Sequence, residues 1–156
     1  GSDLYRRSVY SWWKRPGPAP VMMTLNASKR DVCRVRREVT SSPLQAFVLL
    51  NGPQFMEAAR VMAAKLLAKH QGSPASLVEE AFQSFTSRFP GKREREVLLK
   101  LHAQQLAHYK ANPAQAKGLL GIGASPEAKG LPPHEVAAAA ILINTIMNLD
   151  EAVSKR

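Results

Sequence analysis

The stretch PHEVAAAAILINTIMNL, residues 133–149, decides the fold because apolar side chains occupy almost every side of the helix that it predicts. A helix without a polar face is buried among other elements. Its run of alanines, Ala137 to Ala140, allows neighbouring helices to approach closely. The longest apolar run, Val136 to Ile143, has eight residues, whereas a membrane-spanning helix needs roughly 20. We therefore predict a central, buried helix that begins near Pro133.

Outward from this helix, prolines and glycines divide the sequence into amphipathic helices. Proline is favoured in the first turn of a helix, and glycine at its end. The predicted helices begin at Pro43, Pro53, Pro74, residue 92 and Pro113. The third is expected to end at Pro90-Gly91 and the fourth near residue 111. Since no strand-like alternation appears, the predicted fold class is all-α, an irregular bundle of about five to six helices.

Helical spacing also predicts which side chains face the core. Ala59 and Met62 are expected to point inward, with Arg60 on the opposite, solvated side. In the helix over about 92–111, the inward residues are expected to be Val97, Leu98, Leu101, Leu106 and Tyr109.

The bundle is preceded by a Pro- and Arg-rich segment, residues 3–42. A short helix is predicted within 3–15, followed by a mostly extended or irregular loop over 16–42, because the prolines of PGPAP (16–20) remove donors and fix φ. Together with the bundle over 43–156, this segment is expected to form one domain over 3–156. Gly1-Ser2 is typical of a residue pair left by cleavage of an expression tag, so we expect a piece of a longer protein.

The composition is strongly basic: 22 Lys and Arg against 12 Asp and Glu give a formal charge of +10. This balance favours acidic partners. Arg34, Arg36 and Arg37 are candidate binding residues, since guanidinium groups bind sulfate, phosphate and carboxylate bidentately. The alternative is that these arginines hold the irregular segment in place by pairing with Asp31, with Glu38 or with the C-terminal ends of helices.

Aromatic residues near the start are a second candidate surface. Trp12 and Trp13 can stack on bases or sugar rings, although adjacent helical residues point in different directions. Packing of one tryptophan in the core and of the other on a proline is the alternative.

Catalytic and metal chemistry have little support in the sequence. Cys33 is the single cysteine, which rules out an internal disulfide, a cysteine-based metal site and a Cys-x-x-Cys-His haem attachment. The histidines, His70, His102, His108 and His134, lack ligand spacing.

Two polar pairs near the C-terminal end are interpreted as structural. Asp150 and Glu151 are expected to form a helix cap or an ion pair with the arginine cluster. Asn144 and Asn148 share a helix face and are expected to bond to nearby backbone groups.

Three strings carry a family resemblance: RRSVYSWWKR (6–15), DVCRVRREVTSSPLQAFVLLNGPQFMEAAR (31–60) and ILINTIMNLDEAVSKR (141–156). Together they resemble the C-terminal portion of the planctomycete-type domain-of-unknown-function family 1553. The chain departs from the usual family pattern in having Ser41-Ser42 before Pro43, and Gly52 before Pro53 where an acidic cap is usual.

The resemblance implies a large, exported protein, periplasmic or secreted, with a cytochrome-c-like domain elsewhere in the polypeptide. Haem c would then belong to that other domain, and no cofactor is expected in this chain. The family brings no established activity, so there are no catalytic residues to assign.

Three functions remain open from the sequence. The first is a non-catalytic accessory or interaction module that binds other domains of the same polypeptide or a partner protein. The second is a module that binds anionic polysaccharide, sulfated or uronic. The third is part of an enzyme domain completed by residues outside this chain. Nucleic acid is the least expected partner.

Overall fold

The computed structural model describes residues 5, 7–12, 17, 19–27, 33, 35–36, 38, 40–70 and 73–153. These residues form helices, turns and loops without a strand, and the predicted all-α fold is confirmed. The helices are α1 (Pro20–Thr24), α2 (Pro43–Asn51), α3 (Pro53–His70), α4 (Pro74–Thr86), α5 (Lys92–Ala111), α6 (Pro113–Leu120), α7 (Pro133–Met147) and α8 (Asp150–Val153). A 3-10 turn at Ser8–Tyr10 precedes them.

Backbone contacts divide the chain into two units, residues 1–48 and residues 49–156. In the second unit α7 packs against α3, α4, α5, α6 and α8, which makes it the central helix. Ala137 to Ala140 have no exposed surface. Because alanine adds only a methyl group, these positions let the surrounding helices lie close to the α7 backbone.

Larger side chains fill the core around α7. Six of them are less than 2% exposed: Phe82, Leu77, Leu142, Ile143, Ile146 and Val78. Burying one such side chain contributes about 1.5–3 kcal/mol. Three of these six side chains lie on α7 and three on α4, so the predicted central helix shares the core with α4.

The predicted helix starts are confirmed at five prolines, and the predicted span 92–111 coincides with α5. The predicted end of the third helix is wrong. α4 stops at Thr86 because Ser87 adopts a left-handed φ of 60°, and its N–H bonds to the carbonyl of Gln83. Pro90-Gly91 therefore lies four residues beyond the helix end, next to the start of α5.

Two predictions of facing direction are also wrong. Val97, expected in the core, is 59% exposed. Arg60, expected in solvent, is only 2% exposed. Its guanidinium bonds to backbone carbonyls of the α6–α7 connection, and that pairing outweighs the helical polarity pattern.

The first unit contains one helix that the sequence analysis placed in an irregular stretch. Pro20 is the first residue of α1, where its missing N–H costs no helical hydrogen bond. The helix is a single turn, and it ends before Asn26, whose φ is 56°. Within the predicted helix over 3–15, the described residues show 3-10 conformation at Tyr5 and over Ser8–Tyr10, and no α-helix.

Polar side chains hold the described parts of this first unit together. Ser42 and Gln45 form a reciprocal cap at the start of α2: the Ser42 N–H donates to Gln45 Oε1 at 3.0 Å, and the Gln45 N–H donates to Ser42 Oγ at 3.3 Å. The Gln45 amide also donates to the Thr24 carbonyl at 2.9 Å and to Thr40 Oγ1 at 2.8 Å. Gln45 thus joins the end of α1 to the start of α2.

Candidate functional site

The structure describes two of the five predicted binding residues. Trp12 is 84% exposed and Arg36 is exposed. The predictions for Arg34, Arg37 and Trp13 fall outside the described residues. Trp12 is therefore not the tryptophan packed in a core, and whether Trp13 is stays a prediction.

Residues 1–48 differ from the rest of the chain in burial. None of the described residues in this unit is buried. Its exposed large apolar side chains are Tyr5, Val9, Tyr10, Trp12, Val35, Leu44 and Phe47. Exposed apolar side chains in such numbers are typical of surfaces that bind another macromolecule.

The same unit is also the more basic one. It contains nine Lys and Arg against three Asp and Glu, so it carries more than half of the net charge of +10. Charge of one sign on an exposed segment attracts partners of the opposite sign and accelerates their association.

A separate pocket lies in the second unit, where the end of α3 and the start of α4 meet α5 and the start of α7. Its volume is about 110 Å³. The lining residues are Leu67, His70, Ser73, Pro74, Leu77, His102, Leu106 and Glu135. The pocket combines an apolar floor with two imidazoles and one carboxylate, a composition typical of small-molecule sites.

His102 is the deepest polar group of this pocket. Only 8% of the residue is exposed, and its Nε2 atom is buried without a hydrogen-bond partner in the described part of the chain. Burial lowers the pKa of His102 because it penalises the imidazolium, and the nearby Glu135 carboxylate opposes that shift. A neutral imidazole with an unsatisfied nitrogen can accept or donate one hydrogen bond.

His70 forms the rim of the pocket and is held by Glu80. His70 Nε2 lies 2.6 Å from Glu80 Oε2, and Lys69 Nζ donates to both Glu80 oxygens at 2.7 and 2.8 Å. Hydrogen bonds from Lys69 and His70 lower the pKa of the Glu80 carboxyl. His70 therefore already has a partner, whereas His102 Nε2 is buried without one in the described structure.

Metal binding at this pocket has no geometric support. Across residues 40–70 and 73–153, and in the shorter described stretches, no three His, Cys, Asp or Glu side chains are arranged to hold a metal ion.

Elsewhere in the second unit, charged side chains hold a loop against a helix through hydrogen bonds to the loop backbone. Glu57 Oε1 accepts hydrogen bonds from the N–H groups of Ala124 and Ser125 at 3.1 and 2.6 Å. Arg60 donates to the carbonyls of Ser125 and Pro126 at 2.8 and 3.2 Å. These two residues fix the connection between α6 and α7 on the surface of α3.

Glu151, one of the two acidic residues at the C-terminal end, takes part in a second group of ion pairs. Glu151 pairs with Arg88 at 2.7 Å, and Arg88 also pairs with Glu94 at 2.8 Å. The expected ion pair with the arginine cluster stays a prediction, since Arg34 and Arg37 lie outside the described residues. Hydrogen bonds from Arg88 and from the Gly91 N–H lower the pKa of Glu94 to about 2.

The asparagine pair behaves as predicted. Asn144 is 4% exposed and donates to the Leu50 carbonyl at 2.9 Å. Asn148 donates to the Asn144 carbonyl at 2.7 Å. Both amides satisfy backbone groups.

Sequence reasoning missed His102 because the histidines were compared only for metal-ligand spacing. A signal was present: His102 lies four residues after Leu98 and four before Leu106, on the inward stripe of α5. An imidazole at such a position is either paired or close to a cavity.

These features define an all-α helical protein whose first unit is rich in basic residues and whose second unit holds a small pocket. The family model described as PSD1: Protein of unknown function (DUF1553) matches residues 1–102, and the chain belongs to this family. The match includes the first unit and α3, α4 and the first half of α5. No curated protein and no solved structure matches the chain.

Proposed function

We propose that this chain is a non-catalytic accessory module of a larger, exported, cytochrome-type protein. In this proposal residues 1–48 are the interaction surface, and the partner is another domain of the same polypeptide. The observation that carries the proposal is the burial pattern, since none of the described residues of this unit is buried while seven large apolar side chains are exposed.

The exposure of individual side chains supports a buried interface. Leu44 is 59% exposed on α2, and Val9 and Tyr10 are 78% and 72% exposed beside Trp12. Aromatic side chains and arginine are enriched among the residues that dominate binding energy at protein interfaces. The excess of Lys and Arg in residues 1–48 favours a partner with acidic groups.

The residues of this chain do not fit a covalent haem c. Cys33 is the single cysteine, whereas the Cys-x-x-Cys-His attachment motif requires two. In this proposal a haem c belongs to another domain, to which this module contributes protein contacts. Among the described residues no helix is both long and apolar enough to cross a membrane.

The interaction is tested by titrating the 156-residue chain with the separately produced remainder of the natural polypeptide. We expect saturable binding that Leu44→Ser weakens by about tenfold, equivalent to 1.4 kcal/mol. Val97→Ser is the matched control, because Val97 is equally exposed, at 59%, on α5 of the second unit. No binding, or equal loss in both variants, would overturn the proposal.

A second candidate, binding of anionic polysaccharide, rests on the exposure of Trp12 and Arg36. An indole ring stacks on sugar faces, and a guanidinium binds sulfate or carboxylate. Retention on a sulfated-polysaccharide column is expected to fall with salt, since the contacts are electrostatic.

Two variants separate this candidate from unspecific attraction of a basic protein. Trp12→Ala and Arg36→Ala are expected to elute at clearly lower salt than the natural sequence. Arg93→Ala, an exposed charge on α5, controls for the loss of one positive charge. Identical elution of Arg36→Ala and Arg93→Ala contradicts a polysaccharide site at residues 1–48.

A further inference from the structure

The connection between α6 and α7 crosses the surface of α3 as a strap, which we define as residues 121–130. None of the residues in this strap is buried. Leu120 before it belongs to the main hydrophobic cluster, and Leu131 after it packs against that cluster, so both ends of the strap are anchored. The strap lies in the second unit and includes no residue of the interaction surface proposed for residues 1–48.

Two charged side chains of α3 hold the middle of the strap by its backbone. Glu57 Oε1 accepts hydrogen bonds from the N–H groups of Ala124 and Ser125 at 3.1 and 2.6 Å. Arg60, one turn further along α3, donates to the carbonyls of Ser125 and Pro126 at 2.8 and 3.2 Å. Because one partner in each bond is charged, these bonds are stronger than those between neutral groups. They therefore favour a closed position of the strap on α3.

The closed strap covers a cation. Across the described residues, Arg60 is the one Lys, Arg, Asp or Glu that is buried, with 2% of its surface exposed. Burying a charged group is costly unless it is hydrogen-bonded, and the strap carbonyls supply such bonds. When the strap lifts from α3, water can bond to the guanidinium in place of these carbonyls. Opening therefore leaves the charge of Arg60 solvated.

The strap can open without disturbing the core. Since none of its residues is buried, lifting it exposes little apolar surface, whereas global unfolding exposes the core around α7. Segments with few buried contacts open at a lower free energy than the whole domain. Gly123 and Gly130 lie near the two ends of the strap with φ of 96° and 83°. Glycine reaches positive and negative φ with similar ease, so the backbone can turn at these two positions.

We propose that the strap opens and closes over Arg60 while the helices of the second unit stay folded. In the closed form the Arg60 guanidinium is bonded to the strap and hidden from solution. In the open form the guanidinium is exposed. Glu57 favours the closed form through its bonds to the strap N–H groups, so that access to the buried cation depends on this carboxylate.

Hydrogen exchange of the 156-residue chain, followed by NMR, tests the local opening. The amides of Ala124 and Ser125 are bonded to Glu57 in the closed form and exchange when the strap opens. We expect their protection to be at least about a hundredfold lower than that of the α7 amides and nearly independent of low urea concentrations, because opening exposes little surface. Protection and urea dependence equal to those of α7, or no protection at either amide, overturns the proposal.

A matched pair of variants tests the part played by Glu57. Glu57→Gln keeps the size of the side chain and replaces the carboxylate by a neutral, weaker acceptor. It is expected to speed exchange of the Ala124 and Ser125 amides by about tenfold. Glu96→Gln changes an exposed carboxylate of α5 and is expected to leave both rates unchanged. Equal exchange rates in the two variants would show that the Glu57 carboxylate does not hold the strap closed.

Exposure of Arg60 is measured with phenylglyoxal, which modifies guanidinium groups that are accessible to solution. The initial rate of modification at Arg60 is determined by mass spectrometry of its peptide, with the exposed Arg93 as internal reference. We expect the rate at Arg60 to rise in Glu57→Gln by the same factor as the exchange rates, and the rate at Arg93 to stay constant. An unchanged rate at Arg60 in Glu57→Gln contradicts the uncovering of this cation.

Discussion

His102 couples the stability of the second unit to pH. Its ordinary pKa is 6.5 and burial lowers the pKa in the folded chain, so the unfolded chain binds the proton more tightly. The stabilisation of the neutral form is complete above pH 6.5 and is lost as pH falls below that value toward the folded pKa. We expect the urea midpoint to fall between pH 7.5 and pH 5.5 by more than it does in His102→Leu.

The control for this pH effect is His108→Gln, which changes an exposed histidine on the same helix. This variant is expected to keep the pH dependence of the natural sequence. Parallel pH profiles of the natural chain and His102→Leu would show that the buried imidazole does not titrate on unfolding.

Arg60 illustrates a side chain whose role depends on a distant segment. Its two hydrogen bonds go to Ser125 and Pro126, more than sixty residues away. Arg60→Ala removes both bonds and leaves a cavity, so we expect a loss of about 2–4 kcal/mol in the free energy of unfolding. Arg93→Ala, at an exposed position, is expected to change it by less than about 0.5 kcal/mol. Urea unfolding measures the loss of free energy in both variants. Similar losses would contradict a stabilising role of the Arg60 hydrogen bonds.

At the scale of elements, the connection between α6 and α7 depends on one glycine. Gly123 has a φ of 96°, and a Cβ there would collide with the side chain of Glu57. Gly130 in the same connection has a φ of 83° but open space around it. At both positions a residue other than glycine would be strained by the positive φ. Only at Gly123 would its Cβ also meet another side chain.

This difference gives a matched pair of variants. Gly130→Ala is expected to cost about 1–2 kcal/mol, the strain of a left-handed alanine. Gly123→Ala is expected to cost at least about 1 kcal/mol more, because the Glu57 bonds to Ala124 and Ser125 must also be distorted. If thermal or urea unfolding gives the same loss of unfolding free energy for both variants, the Glu57 side chain moves aside at no cost in stability.

The boundaries of elements were predictable where local chemistry decides them. Proline lacks an N–H, so Pro43, Pro53 and Pro74 begin helices in the sequence prediction and in the structure. The end of α4 was not predictable, because Ser87 adopts a conformation that serine rarely takes. The prediction that Arg60 faces solvent was wrong because its hydrogen-bond partners lie in a loop that is distant in the sequence. Helical periodicity carries no information about such partners.

At the scale of the whole molecule, the sequence located the basic segment but not the pocket. Charge clustering is visible along the chain, and Arg36 and Trp12 are exposed as a binding surface requires. The pocket joins residues from four helices, and which of their side chains meet is set by tertiary packing. That is why His102 and Glu135, 33 positions apart, entered no motif.

The distribution of burial predicts where cooperative folding resides. All residues of the main hydrophobic cluster lie between Ala59 and Ile146. A fragment of residues 43–156, which keeps α2 whole, is therefore expected to unfold cooperatively with a urea midpoint close to that of the full chain. Loss of a cooperative transition in this fragment would show that residues 1–42 are required for the core.

The alanine-lined α7 has a consequence for the motions of the chain. Surrounded by α3, α4, α5, α6 and α8, its backbone can reach water only when the bundle comes apart. Amide protons of Ala139 to Ile143 are therefore expected to exchange with deuterium at the rate set by global unfolding. Amides of α1, which is one turn long and has no buried residue, are expected to exchange through local opening, orders of magnitude sooner. Exchange followed by NMR would thus separate the slowly exchanging amides of α7 from the rapidly exchanging amides of α1.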